Sequence, residues 1–245
     1  MPMIDPQKDP ICVPPYYSHA LCDISDPNQV NDSLVTHAIT AFESLNHHRH
    51  NQSSTVQFSC LVNNAAIVDP TSIAPADDIR TWKKVIDTNL TGAFLLSNLL
   101  IPHLSLAPSP SIVNISSTRA HQSEPHHTDV GWLAYASSKA GLLGLTQALS
   151  QSKACTNSST PIRVNTISPG WIDTSGTSSS TSGDVRRKDH AWHAVGRVGT
   201  PDDVAALCLF LADASKSGFI SGQEFVVDGG VSKKMVYPAS DDDKL

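Results

Sequence analysis

"PSIVNISS" (110–117) is an apolar, β-branched run that ends in small polar residues, and "AYASSKAGLLGL" (134–145) follows it with the pattern of an apolar helix. A strand rich in Val and Ile followed by a helix is half of a parallel βαβ unit. The alternation continues outward in both directions. "YSHALCDIS" (17–25), "QFSCLVNNAA" (57–66), "PIRVNTISPG" (161–170) and "QEFVVDGG" (223–230) read as further strands. Helical patterns lie between them at 27–45, 78–104, 134–152 and 201–213, the last opening on "TPDDV", where Thr200 caps and Pro201 suits the first turn. The predicted fold class is α/β: a Rossmann-like, doubly wound parallel sheet. Ligands of such sheets bind beyond the carboxyl ends of the strands, where this sequence places Asp23, "NNAA", "NISS" and "SPGWIDT".

The chain has 245 residues and 40% hydrophobic residues, enough for one core, so 1–245 is read as a single domain with irregular tails at 1–16 and 235–245. A net charge of −6 with 17 Lys plus Arg argues against a nucleic-acid or membrane-surface partner. The start lacks the pattern of a signal peptide and no stretch holds 18 consecutive apolar residues, which predicts a cytoplasmic protein. Five scattered cysteines, Cys12, Cys22, Cys60, Cys155 and Cys208, form no C-x-x-C pair, and Cys60 and Cys208 read as core residues. "HHRH" (47–50), with His126 and His127 downstream, reads as a solvated loop rather than a metal site, because no carboxylate stands near it. No metal is expected. The helix from Trp82 to Leu104 carries an apolar stripe, including Val85, Leu90, Phe94 and Leu99, wider than one sheet face requires, which predicts a subunit interface and a homo-oligomer.

Within the helix of 134–152, Tyr135 and Lys139 are four residues apart, so phenol and ammonium share one face. "LVNNAA", "DTNLTGAF", "IVNISS", "YASSK", "RVNTISPGWIDT" and "ISGQEFVVDGG", in this order over residues 17–230, strongly resemble the short-chain dehydrogenase/reductase family. The resemblance implies NAD or NADP as cofactor, a small alcohol or ketone as substrate, and catalysis by Tyr135, Lys139, Ser117 and Asn89. Tyr135 would be the general acid/base. A phenol titrates near pH 10, and lowering that by about three units takes roughly 4 kcal/mol of differential stabilisation, the part the family gives to a lysine such as Lys139, which also holds the nicotinamide ribose. Ser117 would donate to the substrate oxygen, and Asn89 resembles the asparagine behind the family's proton relay; without the family context, each would read as an ordinary strand-end or turn residue. For the cofactor, Asp23 resembles the aspartate that meets the adenine and Asn63 opens the segment passing its ribose. The Ile172 backbone and Thr174 hydroxyl stand where the family holds the carboxamide and phosphate end, and the resemblance also counts Tyr135, with Lys139, among the cofactor contacts.

The sequence also departs from the family. No T-G-x-x-x-G-x-G turn is present, and the first 22 residues contain no glycine, so the sheet is expected to be truncated, with the first βαβ unit missing. In the family's strand order, 3-2-1-4-5-6-7, that loss leaves "CLVNN" on an open edge, and 17–25 is hypothesised to slide in beside it. Ala66 replaces a glycine and would be strained, by about 1 kcal/mol, if its φ were positive. An insert at "HHTDVGW" (126–132) would present His127 or Trp132 to the substrate, and "TSGTSSSTSG" (174–183) occupies the family's lid position. The expected function is reversible alcohol–ketone oxidoreduction. The alternative is a catalytically inactive relative acting as an oligomer subunit or binding protein.

Overall fold

The computed structural model describes residues 20, 22–41, 58–68, 75–123, 129–157, 160–175 and 187–235. Among them four strands form one parallel sheet in the order β1 (Cys60–Asn63), β2 (Ser111–Ile115), β3 (Arg163–Pro169), β4 (Glu224–Val227). This order matches the last four positions of the expected sheet. β2 and β3 are buried along their whole length, with apolar residues on both faces, whereas β1 and β4 are partly exposed edges.

Four principal helices cover the two faces. α1 spans 27–41 and α2 is built from Pro75–Ile86, a widened turn at Asp87–Thr91, and Gly92–Leu104. α3 is Val130–Gln151 and α4 is Pro201–Ala212. Successive strand residues point to opposite faces, so Ile112 and Val164 join Val30, Leu96, Leu100 and Leu104 in one core, while Val113, Ile115 and Ile167 join Leu211 in the other. α1, α2 and α3 therefore lie on one side and α4 on the other, which is the doubly wound arrangement. Cys60 and Cys208 are half-buried against the second core. By length and composition Asp78–Leu104 could cross a bilayer, but here its Leu96, Leu100, Ile101 and Leu104 pack on the sheet as a core helix does.

A row of polar side chains crosses the sheet beneath α2 and α3. Asn63 donates to Asn114 Oδ1 (2.8 Å) and Ser97 Oγ (3.1 Å); Asn114 donates to Thr146 Oγ1 (2.8 Å), which meets Thr166. The strand register aligns Asn63, Asn114 and Thr166 side by side. Each group is buried, so each depends on its neighbour for the hydrogen bonds that water would otherwise supply. Asn114→Ala removes the middle link and is expected to lower stability by roughly 2–3 kcal/mol, read as a reduced urea midpoint.

The strand expected at 17–25 does not form among the described residues of that stretch. Instead Ser25 donates through both its backbone N–H (2.9 Å) and its hydroxyl (2.7 Å) to Asp23 Oδ1, and Asp26 N–H donates to Asp23 O (3.1 Å). This side-chain-stabilised turn feeds α1, whose first N–H groups Asp26 caps. The short polar side chains prevail over the β-branched pattern because they satisfy the backbone locally. Nor do the described residues of 17–25 pair with β1, so the hypothesis that they slide in beside it fails there. The segment instead packs on α2, where a Cβ on Gly92 would lie 2.8 Å from Ile24 O. β1 keeps its open edge, with Val62 43% exposed. Ala66 adopts no positive φ, so the anticipated strain does not arise.

Candidate active site

The end of β2 and the first turns of α3 bring the chemistry together. α3 begins at Val130, four residues before the sequence reading, because Asp129 caps it by accepting from the Trp132 N–H (3.2 Å). Helical spacing then puts Tyr135 and Lys139 over the β2 terminus. Ser117 lines the same cavity as the Tyr135 phenol, and its Oγ accepts from Arg119 N–H (3.1 Å). Lys139 Nζ donates to Ile115 O (2.8 Å) and lies 5.5 Å from the centroid of the Tyr135 ring, while Ser116 Oγ donates to Lys139 O (2.8 Å). Two consecutive β2-end residues, Ile115 and Ser116, thus fix Lys139.

The electrostatics differ from the expectation that Lys139 holds the Tyr135 pKa down. Burial raises the phenol above its ordinary value, with partial opposition from the Ser117 hydrogen bond and the Arg119 charge. Burial also lowers the Lys139 ammonium to about 8. The two groups sit in the same low-dielectric region, and each disfavours its charged form there. Lys139 spends a hydrogen bond on a main-chain carbonyl rather than on the phenol. Near neutrality Tyr135 is therefore an acid ready to donate.

Asn89 lies in the widened turn of α2, fully buried. Its amide accepts from Ile67 N–H (2.8 Å) and donates to Ile67 O (2.9 Å) and Ser138 Oγ (3.1 Å), while Ser138 Oγ donates to Tyr135 O (2.7 Å). Asn89 thereby clamps the loop after β1 to the helix that carries Tyr135. Such π-type turns concentrate at functional sites.

A cavity of about 390 Å³ opens beside Tyr135 and Ser117. Trp132, singled out in the insert, lines it and meets Tyr135 edge to face at 5.9 Å, with the Arg119 guanidinium 5.0 Å above the indole. His127, the cluster at 47–50 and lid residues 176–183 lie outside the described residues. The sequence reading missed Trp171, Trp192, His193 and Asp228, which complete the wall. Their signal was weak: "AWH" resembles any amphipathic turn, and Asp228 was visible only as part of "VVDGG".

The loop after β3 is set by close approach. A Cβ on Gly170 would stand 2.7 Å from Asp228 Cβ, so only glycine lets the β3 and β4 ends meet. Ile172 bridges to Gly199, with Asp173 N–H donating to Gly199 O (2.8 Å), and this fixes the segment carrying Thr174. Neither Asp23 nor Asn63 lines the first cavity. Asp23 is exposed, its carboxyl below the usual range through the hydrogen bonds from Ser25. Asn63 borders a second cavity of about 300 Å³ walled by Ile24, Leu34, Leu61 and Val62, and its buried Oδ1 has no hydrogen-bond partner among the described residues.

These residues fit the two ends of a dinucleotide unequally. On one side the Tyr135 phenol shares a cavity with Gly170 and Trp171, and the Lys139 ammonium lies 5.5 Å from the Tyr135 ring centroid. On the other, Asn63 offers one free acceptor, and the second cavity is lined by apolar and amide groups. The first glycine in the chain is Gly92, so no glycine-rich turn leads into a helix beside β1 among the described residues.

The protein-family model described as Enoyl-(Acyl carrier protein) reductase matches residues 17–232. An uncharacterized oxidoreductase of Thermotoga maritima is 44% identical over 180 residues, covering 72% of this chain and 66% of that protein. The 3-oxoacyl-(acyl-carrier-protein) reductase FabG of Chlamydia muridarum is 37% identical over 172 residues, covering 70% of this chain and 64% of its own length. The chain thus spans just under two thirds of these curated relatives. Among solved structures, an apo SCOR enzyme from Clostridium thermocellum superimposes with a TM-score of 0.65 at 32% identity, covering 88% of this chain and 73% of that one.

Proposed function

Because the chain belongs to the short-chain dehydrogenase/reductase family, we propose that it interconverts a secondary alcohol and a ketone, with Tyr135 exchanging a proton with the substrate oxygen. The observation that carries the reading is that Tyr135 and Ser117 stand together in the wall of the 390 Å³ cavity, with Lys139 one helical turn along α3. A ketone oxygen placed there receives a hydrogen bond from Ser117 and the proton of Tyr135 as negative charge develops on it. When bound, NADH or NADPH supplies the hydride. Lys139 and the Ile172–Thr174 segment would hold its nicotinamide end, and Asn63 with Asp23 its adenosine end. Asn89 keeps Tyr135 in place through Ser138, and any part it takes in proton relay passes through its main chain, since its amide is engaged. The exposed Phe94 on α2, 45% accessible, supports a homo-oligomer, which sedimentation at micromolar concentration tests.

A second reading is favoured by the other cavity. Its apolar walls beside the open β1 edge suit a relative that acts as an oligomer subunit without turnover. Titration of the 245-residue chain with NADH and NADPH, followed by cofactor fluorescence, separates the two. The enzyme reading expects saturation at micromolar concentrations. Failure to saturate at millimolar cofactor supports the inactive relative, because missing phosphate contacts each remove roughly 1.5–3 kcal/mol.

A further inference from the structure

We propose that His193 determines specificity in the substrate cavity: its Nε2 accepts a hydrogen bond from a second hydroxyl of a ring-bearing alcohol or ketone, whose ring lies against the tryptophan walls. This deepens the oxidoreductase reading by naming the substrate class of the same site. His193 is 3% exposed, its buried Nε2 has no hydrogen-bond partner among the described residues, and the residue lines the cavity that Tyr135 and Ser117 also line. Buried polar atoms are nearly always satisfied, so an orphan in a cavity wall marks a place where a ligand supplies the partner.

The tautomer follows from the other nitrogen. Nδ1 stands 2.8 Å from Asp189 O, and a carbonyl can only accept, so Nδ1 carries the hydrogen and Nε2 of the neutral ring carries the lone pair. The ring is held in one orientation. Trp192 meets it edge to face at 5.7 Å, and Trp171 stands tilted to it at 6.5 Å. From the other side Gly229, at φ +62°, comes so close that a Cβ there would lie 3.2 Å from His193 Cδ2. In the same wall Asp228 already accepts Gly230 N–H at one oxygen (2.9 Å) and Ser232 N–H at the other (2.7 Å), and Ser117 Oγ accepts Arg119 N–H (3.1 Å), whereas the Nε2 lone pair of His193 has no donor among the described residues. The incoming partner must therefore be a donor, and a hydroxyl is the donor common to alcohol substrates.

Three of the four tryptophans in the chain, Trp132, Trp171 and Trp192, line this one cavity. Flat indole faces suit the C–H surface of a saturated ring or the face of an unsaturated one, better than a flexible chain that would have to be ordered on binding. Together the walls and the acceptor describe a cyclic substrate with a hydroxyl besides the reacting oxygen.

The test needs no cofactor. Intrinsic tryptophan fluorescence of the full chain is titrated with cyclohexanol, with the 1,2-, 1,3- and 1,4-cyclohexanediols, and with the monomethyl ether of the best diol. One diol is expected to bind at least about tenfold tighter than cyclohexanol, as one hydrogen bond to a buried acceptor allows. The methyl ether, which keeps one ring hydroxyl but replaces the other donor, is expected to lose that advantage, and the diol-to-cyclohexanol ratio is expected to fall to within about twofold in His193→Phe. His193→Gln, which presents an acceptor oxygen, is expected to keep more of it. The assignment is overturned if no diol outcompetes cyclohexanol, if the ether binds as well as the diol, or if a folded His193→Phe keeps the preference. Diol selectivity without cofactor saturation would leave the His193 assignment standing and remove the oxidoreductase reading. Cofactor saturation without diol selectivity would do the reverse.

Discussion

Tyr135→Phe is expected to lower kcat/KM for ketone reduction by two to four orders of magnitude, the range that a positioned proton donor contributes. The substitution removes one oxygen from a cavity wall and keeps the ring against Trp132, so cofactor affinity and the thermal midpoint are expected to stay close to wild type. The pH dependence has a definite sign. Burial pushes the phenol above its ordinary value, so it remains protonated through neutrality and reduction needs no prior ionisation. Reduction should therefore be nearly level from pH 6 to 8, while oxidation, which needs the phenolate, should rise with pH. Steady-state rates in both directions across that range check the assignment. Oxidation that is already level at pH 6 would show that Lys139 or the cofactor lowers the phenol pKa in the working complex far more than it does here.

Lys139 should make the stability of the protein rise with alkalinity. Its folded pKa is pushed down to about 8 by burial, against an ordinary value of 10.5. Below pH 8 both folded and unfolded states carry the proton, and the full cost of burying the charge is present. Between pH 8 and 10.5 the unfolded state binds more protons than the folded one, so stability increases with pH and the cost is relieved. The shift corresponds to roughly 3 kcal/mol. Urea titrations at pH 7.5 and 10.5 are expected to show that gain in the wild type relative to Lys139→Met, which has nothing to titrate there. An identical pH dependence in both proteins would place the Lys139 ammonium in contact with water.

The central strands were readable because both of their faces are buried. "SIVNI" and "RVNTISP" carry Ile112, Val113, Ile115, Val164 and Ile167 on both faces, a pattern that suits a strand covered on both sides. α4 was readable from its cap: Thr200 and Asp203 hold one another's backbone and side chain, with Arg197 gripping Asp203 at 2.6 and 2.7 Å. The stretch 17–25 misled because its Ile, Leu and Cys residues suit a strand, whereas Asp23, Ser25 and Asp26 form a turn that costs the backbone nothing. At the site, Tyr135, Lys139 and Ser117 were legible through spacing and family likeness. His193 was not, since its importance depends on burial, an orphaned nitrogen and two tryptophans far apart in the chain. The pKa of Tyr135 was likewise beyond reach, because proximity to Lys139 is a matter of spacing but the competing desolvation is a matter of packing.

Hydride transfer can be followed directly with NADPH, and in parallel NADH, deuterated at the transferring carbon and incubated with the full chain and 2-hydroxycyclohexanone. Mass spectrometry of the diol product is expected to find deuterium on the new carbinol carbon with the wild type and none above background with Tyr135→Phe. A chain that saturates with cofactor yet yields no labelled product from this or other cyclic ketones would contradict the proposal that Tyr135, Ser117 and Lys139 form a working oxidoreductase site.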